Sequence, residues 1–218
     1  MKSGNIIITS VNSDDAKTNK RHIFPGDLNE VKDKWSIASD FRLAIENIVE
    51  FEKETNYFEG KNILELGFCT GIPSAYALKH GASNATLVYP NEETYEIFIK
   101  PTITKNNVDT KVKFIVGDIE NLLDKIGTEK FDIILAPELV FTREEYFERI
   151  HDMLDSVLTE DGIVIFSGRT HSNSCSGSIQ SMLELIKSKN RFDAMDRTSN
   201  SLRHDTAPRK FVQLMRKM

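Results

Sequence analysis

Residues 62–74, Asn62-Ile63-Leu64-Glu65-Leu66-Gly67-Phe68-Cys69-Thr70-Gly71-Ile72-Pro73-Ser74, constrain the fold more than any other stretch of the chain. An apolar run carries an acid near its end, and two glycines then lead into a helical pattern. Gly67 lets the chain turn sharply at the carboxyl end of a strand. Gly71 removes a side chain where backbone has to approach a ligand. The first N–H groups of the helix that follows have no helical partner and can bind a carboxylate. Pro73 suits the first turn of that helix, where its missing N–H would be unpaired in any case. A carboxylate at Glu65 favours a sulfonium or an amine over a pyrophosphate. The glycine spacing also departs from the dinucleotide fingerprint and from the P-loop, and no Gly-Lys-Ser/Thr follows.

This turn opens a series. Apolar runs at 62–66, 85–89, 112–116, 131–136, 162–167 and 210–215 alternate with helical patterns at 72–80, 92–106, 119–126, 142–158 and 178–189. Short apolar strands, each followed by a helix, predict an α/β fold with a mostly parallel sheet covered on both faces. A weaker run at 191–195, close before the last strand, predicts an antiparallel C-terminal strand. Pro101 is expected to kink or split its helix. Upstream, a helix is predicted from Ser39-Asp40, either of which can cap it, with Phe41, Ala44, Ile45, Ile48, Val49 and Phe51 mainly on one face. Residues 1–38, with a turn at Phe24-Pro25-Gly26-Asp27, read as an N-terminal arm, and 39–218 as the main domain.

Composition narrows the function classes. There are 33 acidic and 28 basic side chains, a net charge of −5, which argues against a dedicated nucleic-acid binder. The basic residues near the C-terminus (Arg203, His204, Arg209, Lys210, Arg216, Lys217) are expected on the wet face of a strand. No run of 18 apolar residues exists, and no signal-peptide core, so neither a membrane span nor secretion is expected and a cytoplasmic or nuclear location follows by default. Two distant cysteines and five histidines without ligand spacing predict neither a disulfide framework nor a metal site. His151 is expected at a helix surface. His171, in the loop after the fifth strand, keeps a minor place as a substrate-side residue.

Residues 62–74 resemble motif I of the seven-stranded AdoMet-dependent methyltransferases. Lys34-Trp35-Ser36, Gly71–Leu78 with His80-Gly81-Ala82, and Ala136-Pro137-Glu138-Leu139-Val140-Phe141 with Glu145-Tyr146-Phe147 are similar to stretches of the histidine protein methyltransferases, and related protein-lysine methyltransferases share much of this. The resemblance spans roughly residues 24–195. It implies a Rossmann-like seven-stranded methyltransferase domain that uses S-adenosyl-L-methionine (AdoMet), releases S-adenosyl-L-homocysteine (AdoHcy) and needs no metal. It implies a protein substrate, with ribosomal or translation-related proteins as one class, methylated on a side-chain nitrogen. Glu65 would meet the methionine amine region and Gly67, Cys69 and Gly71 would line the cofactor. Ala136 would lie beside it, and Trp35 either flanks it or fills the core. Glu138 would hold the acceptor, with Phe141 next to it.

Three positions depart from the family pattern. Cys69 replaces the middle glycine of motif I. Tyr89, two residues before Asn91, stands where an acid binds both ribose hydroxyls, and a phenol cannot accept two hydrogen bonds; Glu92 or Glu93 is a substitute from the helix start. Phe141 replaces a tyrosine in an acid-x-x-Tyr element. Asp118, after the third strand, is either an adenine contact or a helix cap. Histidine methylation is the first reading and lysine methylation its closest rival. A binding protein of methyltransferase shape, motivated by the losses at Cys69, Tyr89 and Phe141, belongs to a different class.

Overall fold

In the computed structural model the described residues are 31–53, 56–117, 119–170, 176–198 and 208–217, with side chains from residue 37 onward. The elements run α1 (Val31–Glu52), β1 (Asn62–Glu65), α2 (Ile72–Lys79), β2 (Asn84–Tyr89), α3 (Glu92–Thr94), α4 (Lys100–Asn106), β3 (Val112–Val116), α5 (Leu122–Ile126), β4 (Phe131–Ala136), α6 (Phe147–Val157), β5 (Leu158–Arg169), α7 (Ile179–Lys189), β6 (Phe192–Asp196) and β7 (Arg209–Arg216). The seven strands form one sheet in the order β3-β2-β1-β4-β5-β7-β6. β7 is antiparallel to both of its neighbours, and the pairings from β3 to β5 are parallel.

Successive residues of the strands point to opposite faces, and both faces are dry along the central strands β2, β1, β4 and β5. Ile63, Leu87, Ile133, Leu135, Ile165 and Phe211 pack under α1, α2 and α4. Leu64, Val88, Ile134, Val164, Val212 and Leu214 pack under α5, α6 and α7. Burial on two faces explains why the strands read as continuous apolar runs instead of alternating ones.

Three sequence expectations change. α1 begins at Val31, so Ser39 and Asp40 lie inside it and the helix crosses the 38/39 boundary. The cause is an apolar stripe that starts earlier: Ile37, Phe41, Ala44, Ile45 and Ile48 are all buried, at helical spacing. Phe51 is instead 74% exposed, with the Arg197 guanidinium 5.7 Å from its ring. The segment around Pro101 is divided as expected, into α3 and α4, with Pro101 in the first turn of α4. The backbone widens into a π-helical turn over Tyr95–Ile99, where the Lys100 N–H reaches back to the Tyr95 carbonyl, and α4 continues from it. His151 is buried rather than exposed, its ring edge-on to Phe192 at 5.5 Å between α6 and β6. The predicted turn at Phe24–Asp27, together with Asp118, His171, Arg203 and His204, lies outside the described residues.

The basic C-terminal strand departs from expectation in part. Arg209 and Arg216 at the two ends of β7 are largely buried, whereas Lys210 stays 42% exposed, and all three are paired. Arg216 donates to the Asp155 carboxylate and the Leu158 carbonyl, Lys210 faces Asp196, and Arg209 reaches Glu138 and Asp40.

Phe211 joins the first helix to the sheet: it is fully buried on β7, with its ring 5.9 Å from that of Phe41 on α1. Phe211→Ala is expected to cost about 3–5 kcal/mol, read as a lower urea midpoint at unchanged slope; a loss under about 1 kcal/mol would show that α1 is not part of the cooperative core.

Candidate active site

The carboxyl ends of β1, β4 and β5 carry the residues of interest. At the end of β1 the chain turns through Gly67 at φ 79° and again through Gly71 at φ 78°, both left-handed. The two glycines answer different needs. A Cβ on Gly67 would stand 2.4 Å from the Pro137 carbonyl oxygen, backbone that cannot give way. The same carbonyl accepts the Phe68 N–H at 2.7 Å, so the loops after β1 and β4 are bonded together. Gly71 caps α2, and a Cβ there would meet the Ile103 and Leu87 side chains at 3.2 to 3.4 Å. The Ile103 and Leu87 side chains pack into the space that its missing side chain leaves.

Glu65 is fully buried and faces inward onto this loop. One carboxylate oxygen accepts the N–H groups of Thr70 (3.0 Å) and Gly71 (2.8 Å), and the other accepts that of Ser74 (2.9 Å). The free N–H groups of the helix start therefore take a carboxylate from the chain itself. An anionic ligand is not needed there and would be repelled. Burial pushes the Glu65 carboxyl up, opposed by hydrogen bonds from Ser74 and from the Gly71 and Thr70 amides. Cys69 is buried behind it, with its N–H on the Gly67 carbonyl at 2.9 Å. Burial, and next the Glu65 charge, push its thiol well above the ordinary range.

The loop after β4 holds the second carboxylate. Ala136, buried at the end of β4, is followed by Glu138 at φ 52°, an unusual conformation for a glutamate. That backbone costs roughly 1–2 kcal/mol and is held by its neighbours. The Glu138 N–H donates to the Ser167 hydroxyl at 3.1 Å, and the Leu139 N–H to the Ser167 carbonyl at 3.0 Å. The Phe141 N–H closes the turn on the Glu138 carbonyl at 2.9 Å, and Val140 fills the place where Gly168 lacks a side chain. The Glu138 side chain is 2% exposed. Its Oε1 accepts from Arg209 Nε, while its Oε2 is buried without a hydrogen-bond partner. Arg209 also donates from Nη1 to Asp40 of α1 at 2.7 Å.

The other expected residues divide. Tyr89, at the end of β2, is buried and stacks on Tyr95 at 5.5 Å with Phe114 edge-on. Burial, then the Glu92 charge, push its phenol up, which keeps the hydroxyl a donor. The Asn91 side-chain Oδ1 caps the next helix, accepting the Thr94 N–H at 2.9 Å and hydroxyl at 3.1 Å. Trp35 lies on α1, with its side chain outside the described residues. Asp40 and Arg209 escaped the sequence reading, one taken as a helix cap and the other as a surface charge. Their pairing joins residues 169 positions apart, and the residues beside them, Ser39 and Phe41 on one side and Pro208 and Lys210 on the other, carry no sign of it.

The described part of the site has three carboxylates (Glu65, Glu138, Asp40) against one guanidinium, with an orphaned acceptor on Glu138. This donor set fits a cationic ligand such as the sulfonium and amine of AdoMet. Among the described residues no group of three His, Cys, Asp or Glu side chains could hold a metal ion, and no helix is long and apolar enough to cross a membrane.

A family model described as lysine methyltransferase, family 16, matches residues 35–185. The chain belongs to this family. It is an AdoMet-dependent methyltransferase of the seven-stranded type. An uncharacterized protein of Caenorhabditis elegans is 39% identical over 187 residues, 85% of this chain and 76% of that one. A histidine protein methyltransferase 1 homolog of Dictyostelium discoideum is 30% identical over 142 residues, 65% of this chain. The match covers only 45% of that relative's length. An O-methyltransferase from Bacillus cereus, solved with AdoHcy, superimposes with a TM-score of 0.58 at 17% identity, covering 82% of this chain and 81% of that one, which shows the shared fold.

Two glycine substitutions separate site geometry from backbone strain. Gly67→Ala in this family 16 methyltransferase meets both positive φ and the Pro137 oxygen, and is expected to weaken AdoHcy binding at least about tenfold by calorimetry. Gly127, at φ 67° with nothing within 4 Å of a Cβ, carries strain alone. Gly127→Ala is expected to cost about 1 kcal/mol of stability and to leave AdoHcy affinity unchanged.

Proposed function

We propose that this methyltransferase transfers a methyl group to a side-chain nitrogen of a protein, and that the acceptor is a histidine imidazole. The observation that carries the reading is the half-satisfied carboxylate of Glu138: buried, held at Oε1 and without a partner at Oε2.

Bound AdoMet supplies a methyl group that leaves as its S–C bond breaks towards an incoming nitrogen lone pair, with AdoHcy as the other product. The protein has to align that nitrogen and exclude water. Imidazole is neutral in good part near pH 7. Its ring N–H can donate to Glu138 Oε2, which leaves the lone pair of the other ring nitrogen free to attack. The positive charge that develops on the ring is stabilised by the same carboxylate, and the N–H proton then passes to solvent. The loss of a tyrosine hydroxyl at Phe141 removes nothing this step needs.

At the cofactor end, Glu65 keeps the turn in shape, and Tyr89 offers one hydroxyl to the ribose in place of a carboxylate. We assign Asn91 and Ala136 to the walls of the same pocket. The similarity to the Dictyostelium histidine protein methyltransferase homolog supports an imidazole acceptor. The family description favours lysine as the second reading. A lysine ammonium, unlike an imidazole, must lose a proton before it can attack, and a carboxylate tied to a guanidinium is better arranged to accept a hydrogen bond than to remove a proton.

Incubation with radiolabelled AdoMet and a whole-cell protein extract, followed by hydrolysis of the labelled protein, reads the acceptor directly. Methylhistidine is expected, with label reduced about a hundredfold or more by Glu138→Ala. Methyllysine as the only labelled product would sink the histidine assignment.

A further inference from the structure

Glutamate has three rotatable side-chain bonds, and a buried oxygen without a partner gives it reason to turn towards one. In this protein two restraints oppose that turn. The backbone of Glu138 is fixed in the left-handed region by Ser167, and a guanidinium from a distant part of the chain holds Oε1. That guanidinium is placed by geometry as well as by charge. Arg209 uses Nε for Glu138 and Nη1 for Asp40, two points of one rigid plane, so fixing Asp40 fixes the direction from which Glu138 is held. The Arg209 side chain is 12% exposed, and Asp40 stands on α1, seated by Ile37, Phe41 and Ala44 in the core. Three separate elements, α1, the loop after β4 and the start of β7, thus meet on one side chain.

We propose that Arg209 is the positioning residue of the acceptor pocket: braced by Asp40, it ties down Glu138 Oε1 and leaves Oε2 as the one acceptor offered beside the transferable methyl group. The inference rests on the reading of Glu138 given under Proposed function. Lysine at this position would keep the charge but lose the planar fork, so it could not hold both carboxylates in the same arrangement.

The test needs no protein substrate. Sinefungin carries an ammonium where AdoMet carries its sulfonium methyl, and AdoHcy carries nothing there. The ratio of their affinities, measured by calorimetry on the whole chain, reports whether an anionic acceptor faces that point. In the wild type, sinefungin is expected to bind at least about tenfold tighter than AdoHcy, the effect of one charge-assisted hydrogen bond. Arg209→Met and Glu138→Gln are expected to bring the ratio close to one while AdoHcy affinity holds within about threefold. Arg209→Lys, which preserves the charge and the fold, is expected to lower the ratio part of the way, as is Asp40→Asn.

Arg197→Met is the control. It breaks a different attachment of α1, that of Arg197 to Glu52, away from the pocket, and is expected to leave the ratio unchanged. A wild-type ratio near one would overturn the placement of Glu138 and this inference with it. A high ratio that is lost in Glu138→Gln but kept in Arg209→Met and Arg209→Lys would overturn the role of Arg209 alone. Equal loss of both affinities in the Arg209 variants, matched by Arg197→Met, would make the contact a structural fastening.

Discussion

The Pro137 carbonyl oxygen lies where residue 67 would carry its β-carbon, and the active site depends on that approach. β1 and β4 are neighbours in the sheet, with Glu65 in register with Leu135, so the loops that leave them start side by side. Parallel strands alone would let those loops diverge. The bare Gly67 and the Phe68 N–H close the gap, and the turn after β1, where we propose the cofactor binds, becomes continuous with the turn that carries Glu138. From there the constraint spreads through Ser167 to β5, through Arg209 to β7 and through Asp40 to α1.

Glu65 and Glu138 show one residue type in two states of satisfaction. Glu65 spends both oxygens on three backbone N–H groups and so becomes part of the turn. It makes the start of α2 electrically self-sufficient, which separates this site from phosphate-binding turns where the same N–H groups meet the ligand. Glu138 spends one oxygen and keeps one. A buried acceptor left unmade costs about 1–3 kcal/mol, and a strained backbone adds to it. Unsatisfied groups and left-handed non-glycine residues are rare in folded proteins and concentrate at functional sites. Here both fall on the same residue, beside the cofactor turn.

Local features of this chain were legible in its sequence and long-range ones were not. The strand–turn–helix of β1 and α2 is written within a dozen residues, and the alternating runs give the α/β class because burial on two faces leaves each strand apolar throughout. The antiparallel last strand followed from the short connection between neighbouring runs. Pairings across the chain leave no local mark. Asp40 looks like a helix cap because aspartate does cap helices; only the buried Ile37, three residues earlier, extends the helix past it. Arg209 looks like a wet charge because strand alternation predicts one, yet it is largely buried against Glu138 and Asp40. His151 on an amphipathic helix was misplaced for the same reason, since β6 and Phe192 cover its side of α6. At the turn after β1, the sequence did not show that the loop itself supplies the partners of Glu65. Glu138, buried on the loop after β4, is the carboxylate there that keeps one oxygen without a partner.

Hydrogen exchange read by mass spectrometry, with and without AdoHcy, tests most directly whether the two loops form one site. Residues 66–72 and residues 137–142 should gain protection together and to similar extents, while the cleft of about 940 Å³ at the opposite edge of the sheet, lined by Lys130, Asp155 and Arg216 among others, should not change. Protection confined to the first loop, or appearing at that opposite cleft, would contradict the continuity of the cofactor turn and the Glu138 turn.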